Sequence, residues 1–366
     1  MTYHSLANGL ENAAARIEVE RAIFEIRAGR PVIVAHGADR LVALGVEALE
    51  PRLAAALELA AGGAVGLCLT EPRLRRLGLA GRRDGGVVAF PRIDLDRAHM
   101  LAADPDARID APVAPLTPAQ TGALELLRLA QVIPAAVVFT AKEAEALLRN
   151  LLVVTLDHIA AYDAARAASL RIVSRAPVPL EGAPDTEFVV FRGGEGLRDQ
   201  VAVIVGRPDV TQPVTVRLHS ACLTGDLFGS LKCDCGDQLR STTRFMSENG
   251  GGVLLYLDQE GRGNGLANKI GAYGLQARGF DTYDADEALG FGHDQRRFEF
   301  AATMLKQLGV AAVRVMTNNP QKIAALEIAG LSVVSDQRIF GRRTDHNIRY
   351  LAAKRDRSGH LFEQDV

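Results

Sequence analysis

Apolar residues in the first half of the chain alternate between helical spacing and short uninterrupted runs. Those between positions 19 and 26 recur at i, i+3, i+4 and i+7, which predicts a helix that Gly29 and Pro31 end. Short apolar runs bounded by turn residues predict buried strands. The predicted strands of this half are Val32–Val34, Val65–Leu69, Val87–Phe90 and Ala136–Phe139. Two further helical patterns cover Thr121–Gln131 and the stretch between Ala141 and Ala168.

A stretch rich in Pro and Gly, Ser169–Asp185, predicts a connector between two domains. The strands predicted beyond it are Phe188–Arg192, Val201–Val205, Val214–Leu218, Val253–Leu257, Val313–Met316 and Leu331–Val334, of which the first ones look antiparallel. Helical patterns follow at Asp237–Glu248 and between Phe298 and Leu308. The mixture predicts an α+β, or mixed α/β, fold with two domains, residues 1–170 and 171–366.

Length and charge agree with this organisation and exclude several classes of protein. A chain of 366 residues is too long for one ordinary hydrophobic core. Lys and Arg number 42 against 44 Asp and Glu, and this balance gives no reason to expect a nucleic-acid partner. No uncharged apolar run is long enough to span a bilayer, and the first residues lack the apolar segment of a signal peptide. We therefore expect a soluble cytoplasmic protein.

Three of the four cysteines, Cys222, Cys233 and Cys235, lie in one stretch, HSACLTGDLFGSLKCDCGDQL. Structural zinc sites have four protein ligands, whereas catalytic sites keep one position open for water. With no fourth cysteine nearby, the spacing predicts one catalytic zinc per chain. The alternative is three buried free thiols, but polar and glycine neighbours oppose a core position. A disulfide between Cys233 and Cys235 is opposed by their closeness in the chain. Cys68 lies in an apolar strand and is predicted to be a core residue.

A glycine-rich turn, Gly261–Gly265, follows a predicted strand and the acidic Glu260. Alternating glycines let a backbone approach a ligand closely and turn its N–H groups toward an anion. An ordinary glycine-rich turn is the alternative interpretation. Arg262 within the turn suits phosphate recognition, and Glu260 suits the amine edge of a purine. Two other polar turns, Asp294–Arg296 and Thr317–Lys322, have the same character, and beside a three-thiolate loop they favour a zinc site that processes nucleotides.

The stretch from Arg217 to Val334 resembles GTP cyclohydrolase II, the enzyme that opens GTP on the riboflavin pathway. The resemblance rests on RLHSACLTGDLFGSLKCDCGDQL, QEGRGNGLANKI, AYGLQARGFDT, ALGFGHDQRRF, TNNPQK and the C-terminal HNIRYLAAKRDRSGH. It implies that Cys222, Cys233 and Cys235 hold zinc, that an activated water opens the imidazole ring at C8, and that formate is released. It also implies cleavage at the α-phosphate with release of pyrophosphate.

The resemblance further implies that Arg296 is the nucleophile at the α-phosphate, with Asp294 as its acid/base partner and Tyr273 at the same centre. Because guanidinium holds its proton strongly, a neighbouring carboxylate is needed to activate it. A surface ion pair is the alternative. Contacts to the guanine and the phosphates are implied for Arg217, His219, Ser220, Gln238, Glu260, Arg262, Thr282, Thr317 and Lys322. A Mg²⁺ ion with the triphosphate and a homodimer are also expected.

Four positions depart from the family's usual residues. Ala221 and Gln295 replace glutamates, whereas Asp258 and Gly271 replace arginines. Loss of two cationic positions is expected to weaken binding of the triphosphate. The departures keep two alternatives open: a cyclohydrolase-like enzyme of another pathway, such as pyrimidine catabolism, or a guanine-nucleotide-binding regulator with structural zinc. Retention of the implied nucleophile and its partners opposes the regulator.

Residues from about 17 to 140 resemble dihydroxybutanone phosphate synthase in RIEVERAIFEIRAGRPVIV, GLCLTEPRLRRLGL and LLRLAQVIPAAVVF. That family binds magnesium through an acidic Asp-Arg-Glu-Asn-Glu-Gly run. Here Asp39-Arg40 is followed by the apolar Leu41–Gly45, and Ala119–Gly122 replaces the family's Gly-His-Thr-Glu. A hard divalent cation needs oxygen ligands. We therefore expect this half to be a catalytically inactive scaffold for dimerisation.

Overall fold

The computed structural model describes residues 3–81, 84–141, 149–195, 198–292 and 294–348, together with positions 352, 355 and 357. The chain forms two compact units. The first unit contains Met1–Ala165, Ala267–Phe280 and Asp284–His293, and the second contains Arg166–Leu266, Asp281–Tyr283 and Asp294–Val366. The sequence alone assigned all of 171–366 to one domain, whereas two segments of that stretch pack within the first unit.

Helices and strands alternate through both units, which confirms the predicted mixed α/β class. The strands are β1 (Val32–His36), β2 (Asp39–Gly45), β3 (Val65–Leu69), β4 (Gly86–Phe90), β5 (Val113–Ala114), β6 (Ala135–Thr140), β7 (Val153–Thr155), β8 (Arg171–Pro177), β9 (Thr186–Glu195), β10 (Arg198–Val205), β11 (Val214–Ser220), β12 (Gly252–Leu257), β13 (Ala312–Met316) and β14 (Ser332–Gln337). The helices are α1 (Tyr3–Arg27), α2 (Pro51–Ala61), α3 (Glu71–Arg76), α4 (Leu95–Ala103), α5 (Pro118–Leu129), α6 (Leu156–Ala168), α7 (Leu223–Asp226), α8 (Cys235–Glu248), α9 (Leu266–Ala277), α10 (Thr282–Ala288), α11 (Glu299–Gln307) and α12 (Pro320–Ile328). Short 3₁₀ turns occur at Val46–Ala48 and Glu260–Gly263.

The sheet of the first unit has the strand order β5-β4-β3-β6-β2-β1-β7 and is covered on both faces. Apolar side chains of α2, α3 and α4 pack on one face, and those of α1, α5 and α6 pack on the other. Both faces of β2 are therefore buried, and Leu41–Gly45 is a core segment of the sheet. Cys68 of β3 is fully buried, as predicted, and burial raises the pKa of its thiol.

The sheet of the second unit has the order β14-β13-β11-β12-β10-β9-β8. Strands β8, β9, β10 and β12 pair antiparallel, whereas β12, β11, β13 and β14 pair parallel. The parallel strands β11, β12 and β13 consequently end at the same edge of the sheet. Ligands of open α/β sheets bind beyond such carboxyl ends. The polar turns predicted to carry chemistry, except Asp294–Arg296, follow these three strands directly.

Two predictions about local structure are wrong. The helical pattern expected between Ala141 and Ala168 contains the strand β7, which pairs parallel with β1, although residues 142–148 lie outside the described ranges. The expected connector Ser169–Asp185 contains β8, an edge strand whose side chains are mostly exposed. An edge strand of this kind lacks the apolar run that marked the buried strands.

Within the described ranges, no helix has both the length and the apolar character that a membrane crossing requires.

Candidate active site

The loop that follows β11 brings three thiols together. Cys222 lies two residues beyond the end of β11, and Cys235 is the first residue of α8. The Sγ atoms of Cys222, Cys233 and Cys235 all lie within 4.8 Å of one another. Those of Cys222 and Cys233 are 3.6 Å apart. No second cluster of three or more His, Cys, Asp or Glu ligand atoms is found in the part of the chain that is described.

The backbone around the thiols is shaped for close approach. A Cβ added at Gly225 would lie 2.6 Å from the Sγ of Cys233 and 3.1 Å from the Sγ of Cys222. A Cβ at Gly236 would lie 2.2 Å from the carbonyl oxygen of Gly225. The distances of 2.6 and 2.2 Å are shorter than real Cβ contacts, so a side chain at either position would force neighbouring atoms to move. The loop is therefore a cradle that holds three sulfur atoms without a side chain between them.

The electrostatics of the cradle favour a bound cation. The pKa of Cys233 is raised to about 11, and the neighbouring Cys222 thiol is the largest cause. The pKa of Cys235 is raised well above its ordinary value by Cys222 and Cys233 together. Three thiolates at this separation repel one another, and a divalent metal offsets that repulsion when the protons leave. The amino end of α8 lies at Cys235 and favours negative charge. Three protein ligands are the number that a catalytic zinc site uses, because water or substrate takes the fourth position.

Asp226, which the sequence analysis missed, organises the start of the cysteine loop. Its carboxylate accepts hydrogen bonds from the backbone N–H of Cys222 at 2.9 Å and the hydroxyl of Tyr256 at 3.0 Å. Nε2 of His219 lies 3.1 Å from both carboxylate oxygens. The His219 ring also stacks on the ring of Tyr256, with centroids 5.6 Å apart. In the sequence, Asp226 could have been identified as a carboxylate four residues after Cys222, the first cysteine of the loop.

His219 is consequently held in one orientation beside the cysteine loop. Burial lowers the pKa of His219, although Asp226 acts in the opposite direction. Its Nδ1 atom is buried and has no hydrogen-bond partner among the described residues, and the same holds for the hydroxyl of Ser220. Both residues were predicted to contact substrate. Both present a buried polar atom at the carboxyl end of β11 that has no partner in the described part of the chain.

Glu260 connects the glycine-rich turn to the cysteine loop. Its Oε2 atom accepts a hydrogen bond from the backbone N–H of Leu223 at 2.6 Å, and its Oε1 atom accepts one from Gly261 at 2.9 Å. Gly261 and Arg262 have φ of 61° and 60°, in the left-handed region. A non-glycine residue adopts this conformation rarely, and such strain is concentrated at functional sites. Part of the hydrogen-bonding capacity that was predicted for guanine is thus used by the backbone.

The glycine-rich turn also meets the Asp294–Arg296 turn, although about thirty residues separate them in the chain. The backbone N–H of Gln295 donates to the carbonyl oxygen of Arg262 at 3.0 Å. A Cβ at Gly263 would lie 3.0 Å from the carbonyl carbon of Gln295, so the two backbones are in close contact. The guanidinium of Arg262 lies 4.2 Å from the ring centroid of Tyr283. Two turns that the sequence suggested separately therefore form one structure.

Asp294 and Arg296 form a partly buried pair. Nε of Arg296 donates to the two carboxylate oxygens of Asp294 at 2.9 and 3.1 Å, and its backbone N–H donates to one of them at 3.0 Å. Their side chains are 22% and 14% exposed, so this is not a freely solvated surface pair. Burial acts to raise the pKa of Asp294, but the charge and hydrogen bonds of Arg296 outweigh it and lower that pKa. Asp294 is therefore ionised at neutral pH and accepts charge-assisted hydrogen bonds from the guanidinium of Arg296.

Two predicted substrate contacts lie in a buried network beneath the cysteine loop. Arg217 donates to the carbonyl oxygen of Met316 at 2.9 Å and to the side-chain oxygen of Gln238. The amide nitrogen of Gln238 donates to Asp234, which lies between Cys233 and Cys235 in the chain. Burial lowers the pKa of Arg217 to about 10, which still leaves it charged at neutral pH. In this conformation Arg217 and Gln238 support the turn that carries two of the thiols.

The turn after β13 is also extensively hydrogen-bonded. Lys322 is buried and donates from Nζ to the carbonyl oxygen of Leu218 at 2.7 Å. The hydroxyl of Thr317 accepts from the backbone N–H of Asn319 at 3.1 Å, and Asn319 caps α12. These contacts bring Thr317 and Lys322 to the carboxyl edge of the sheet, and each side chain has a local structural contact there.

The remaining predicted residues are placed as follows. Tyr273 lies on α9 in the first unit, where Nζ of Lys269 is 5.8 Å from its ring centroid. Thr282 is the first residue of α10 and belongs to the second unit. His293, which belongs to the ALGFGHDQRRF run, lies outside the described residues, as do most positions of the C-terminal HNIRYLAAKRDRSGH run.

Comparison with known proteins covers both halves of the chain. The family model of GTP cyclohydrolase II matches residues 171–338. A GTP cyclohydrolase-2 of Xylella fastidiosa (strain Temecula1 / ATCC 700964) is 42% identical over 360 residues, which is 97% of this chain and 89% of that protein. A GTP cyclohydrolase-2 of Azospirillum brasilense is 42% identical over 371 residues and covers 96% of each chain.

Two further proteins carry related names. The riboflavin biosynthesis protein RibBA of Salinispora arenicola (strain CNS-205) is 34% identical over 397 residues, with 95% of this chain and 94% of that protein covered. A solved structure of a two-domain 3,4-dihydroxy-2-butanone 4-phosphate synthase from A. baumannii covers 88% of this chain at 17% identity and a TM-score of 0.33. Since the 42% identity to GTP cyclohydrolase-2 proteins extends over nearly the whole of both chains, this protein belongs to the GTP cyclohydrolase II family.

Proposed function

We propose that the protein hydrolyses GTP in a zinc-dependent reaction that opens the imidazole ring of guanine and releases formate and pyrophosphate, as a step of riboflavin biosynthesis. The observation that carries this proposal is the three-thiol cradle, whose sulfur atoms lie within 4.8 Å of one another. Glu260 joins this cradle to the glycine-rich turn, and that turn joins it to the Asp294–Arg296 pair. Family membership supports the same reaction.

Cys222, Cys233 and Cys235 would hold the zinc ion. When bound, zinc supplies a Lewis acid that makes water a nucleophile at neutral pH, which is the chemistry needed at guanine C8. The chain contributes the orientation of the ligands. Asp226 holds the backbone of Cys222, and the chain of contacts from Arg217 through Gln238 holds the turn of Cys233 and Cys235. His219 and Ser220 are our candidates for contacts to the base, because each presents a buried polar atom without a partner among the described residues.

The Asp294–Arg296 pair would act at the α-phosphate. In this step a guanidinium nitrogen of Arg296 forms a bond to the α-phosphorus, the bond to the bridging oxygen breaks, and pyrophosphate leaves. The guanidinium proton passes to Asp294, whose lowered pKa keeps it ionised beforehand. Water then cleaves the phosphorus–nitrogen bond and restores Arg296. The roles of Tyr273 and Thr282, a Mg²⁺ ion with the triphosphate, and a homodimer remain predictions from the family resemblance.

Incubation of the zinc-loaded protein with GTP tests the proposal. Formate and pyrophosphate are expected in equal amounts, together with the diaminopyrimidine ribosylamino phosphate, and chelation of zinc should stop formate release. Formation of neither product would contradict the proposal. Such a result would favour one of the two alternatives, an enzyme of another pathway or a regulator, and Ala221 and Asp258 would be the first positions to revert to the family's residues.

The first unit is expected to have no dihydroxybutanone phosphate synthase activity. Its Leu41–Gly45 segment is an apolar core strand, and no acidic cluster that could hold Mg²⁺ lies within the described residues. Incubation of the full chain with ribulose 5-phosphate and Mg²⁺ should leave the sugar phosphate unchanged. Turnover above that of a protein-free control would show that this assignment is wrong.

A further inference from the structure

Part of the second half of the chain packs within the first unit. We call this part, residues 267–280 and 284–292, the inserted segment. It includes most of α9 and α10, and it carries Tyr273. In the chain it begins two residues after the glycine-rich turn and ends next to His293 and Asp294. The contacts that hold it in the first unit involve side chains to which the proposed reaction assigns no role.

Arg73 is the most buried of these contacts. It is 1% exposed, and its Nη1 atom donates to the carbonyl oxygen of Ala288 at 2.8 Å. Its other nitrogens donate to the carbonyl oxygens of Leu101 at 2.7 Å, Met100 at 3.0 Å and Asp104 at 2.6 Å. One guanidinium thus joins the carboxyl end of α4 to the carboxyl end of α10 in the inserted segment. A buried cation at two helix carboxyl ends is satisfied by both sets of free carbonyl groups.

Thr70 makes a second contact one turn away. Its hydroxyl donates to the carbonyl oxygen of Gly290 at 2.6 Å. Gly290 has φ of 84°, and a Cβ there would lie 3.2 Å from the Thr70 hydroxyl oxygen, so the Thr70 side chain packs closely against the backbone of Gly290. At the other end of the inserted segment, the amide of Asn268 donates to the carbonyl oxygen of Gln131 at 2.9 Å. Gln131 has φ of 57°, an unusual conformation for glutamine.

Apolar and ionic contacts surround these hydrogen bonds. The apolar cluster of the inserted segment packs against Ile133, and it consists of Ala272, Leu275, Ala285, Ala288, Leu289 and Phe291 with Phe280 at its margin. Arg278 pairs with Asp106 at 2.7 Å, and Arg76 lies 4.7 Å from the ring centroid of Phe280. The rest of the first unit therefore contacts the inserted segment through hydrogen bonds, apolar packing and charge.

We propose that the rest of the first unit acts as a platform that positions the inserted segment for turnover of GTP, with Thr70 and Arg73 as positioning residues. This inference rests on the proposed function through Tyr273 and through the chain connection to Asp294 and Arg296. A shift of about 1 Å in a catalytic group can cost on the order of a hundredfold in rate. Such a role does not require the magnesium-binding carboxylates of dihydroxybutanone phosphate synthase, which are missing from Leu41–Gly45. Its effect is expected mainly on kcat, because the positioned groups act in the chemical step.

Hydroxyl-to-methyl substitutions test the proposal in the zinc-loaded full-length protein. Thr70→Val removes the hydrogen bond to Gly290, whereas Thr70→Ser retains it. Thr117→Val is the matched control, because Thr117 caps α5 through its hydroxyl and is not part of these contacts. We expect Thr70→Val to increase hydrogen–deuterium exchange in residues 267–292 and to lower kcat by about three- to tenfold with KM and zinc content little changed. Arg73→Met should do the same more strongly, by about tenfold to a hundredfold in kcat.

The pattern across variants decides the inference. The proposal is supported if Thr70→Ser has wild-type hydrogen–deuterium exchange in the inserted segment and wild-type kcat. Thr117→Val should also have wild-type values of both. Unchanged exchange in the inserted segment of Thr70→Val and Arg73→Met overturns it, as does increased exchange with an unchanged kcat. If Arg73→Met does not fold, Thr70→Val and Thr70→Ser decide alone. A wild-type protein that releases no formate from GTP would overturn the proposed function instead, and the exchange data would then judge whether these residues hold the segment.

Discussion

Replacement of Cys222, Cys233 and Cys235 together by serine is expected to remove the bound zinc and to abolish formate release. A serine hydroxyl does not ionise near neutral pH, so the variant offers no anionic sulfur to the metal. Metal analysis should give about one zinc per chain for the wild type and almost none for the triple variant. The rate of formate release should fall by at least about a thousandfold, since an essential group of the reaction is lost.

A glycine variant separates metal binding from loss of the thiols themselves. Gly225→Ala retains all three cysteines but places a Cβ 2.6 Å from the Sγ of Cys233. It should therefore weaken zinc binding in a competition assay with a chelator. Gly63→Ala is the control, because a Cβ at Gly63 meets nothing within 4 Å. Undiminished zinc in the triple serine variant would overturn the assignment of the cradle.

Replacement of Arg296 by alanine is expected to abolish pyrophosphate release while formate release continues. Zinc chemistry acts at guanine C8 and Arg296 acts at the α-phosphorus, so the two half-reactions can be lost independently. Loss of a nucleophile costs orders of magnitude in rate, about a thousandfold or more, so the contrast should be clear. Separate assays of pyrophosphate and formate from the same GTP incubation provide the measurement. Removal of zinc should give the converse result, with formate release lost and some phosphate cleavage retained.

Arg175→Ala provides a matched control for the loss of a paired arginine in the same unit. Arg175 pairs with Glu187 between two neighbouring strands, and its side chain is 49% exposed. This variant should release both products at the wild-type rate. Pyrophosphate release at the wild-type rate by Arg296→Ala would mean that Arg296 only binds substrate. The ion pair with Asp294 would then have a structural role.

Local pattern was sufficient to predict most strands and the three-thiol loop. Buried strands such as β3 and β12 stand out because both of their faces are apolar, and this property is visible in five or six consecutive residues. Strands β2, β5, β7 and β8 were not predicted. The edge strand β8 has mostly exposed side chains and so lacks an apolar run, and the short β7 depends on pairing with β1, which is far away in the chain. The spacing of the cysteines was likewise sufficient to predict a candidate metal site, since three cysteines close together in sequence can place three sulfur ligands in one loop.

The sequence by itself determined the mixed α/β class, the cysteine cluster and the loss of acids from Leu41–Gly45, because each depends on residue types within one short stretch. Only the tertiary structure decided that Asp226 orients His219, that the glycine-rich turn meets the Asp294–Arg296 turn, and that Arg73 holds Ala288. The turns of the second unit meet because β11, β12 and β13 run parallel and end at one edge of their sheet. Strand order and the pairing of distant backbone groups depend on how whole elements bury their apolar faces, and the free energy of that burial is a property of the complete fold.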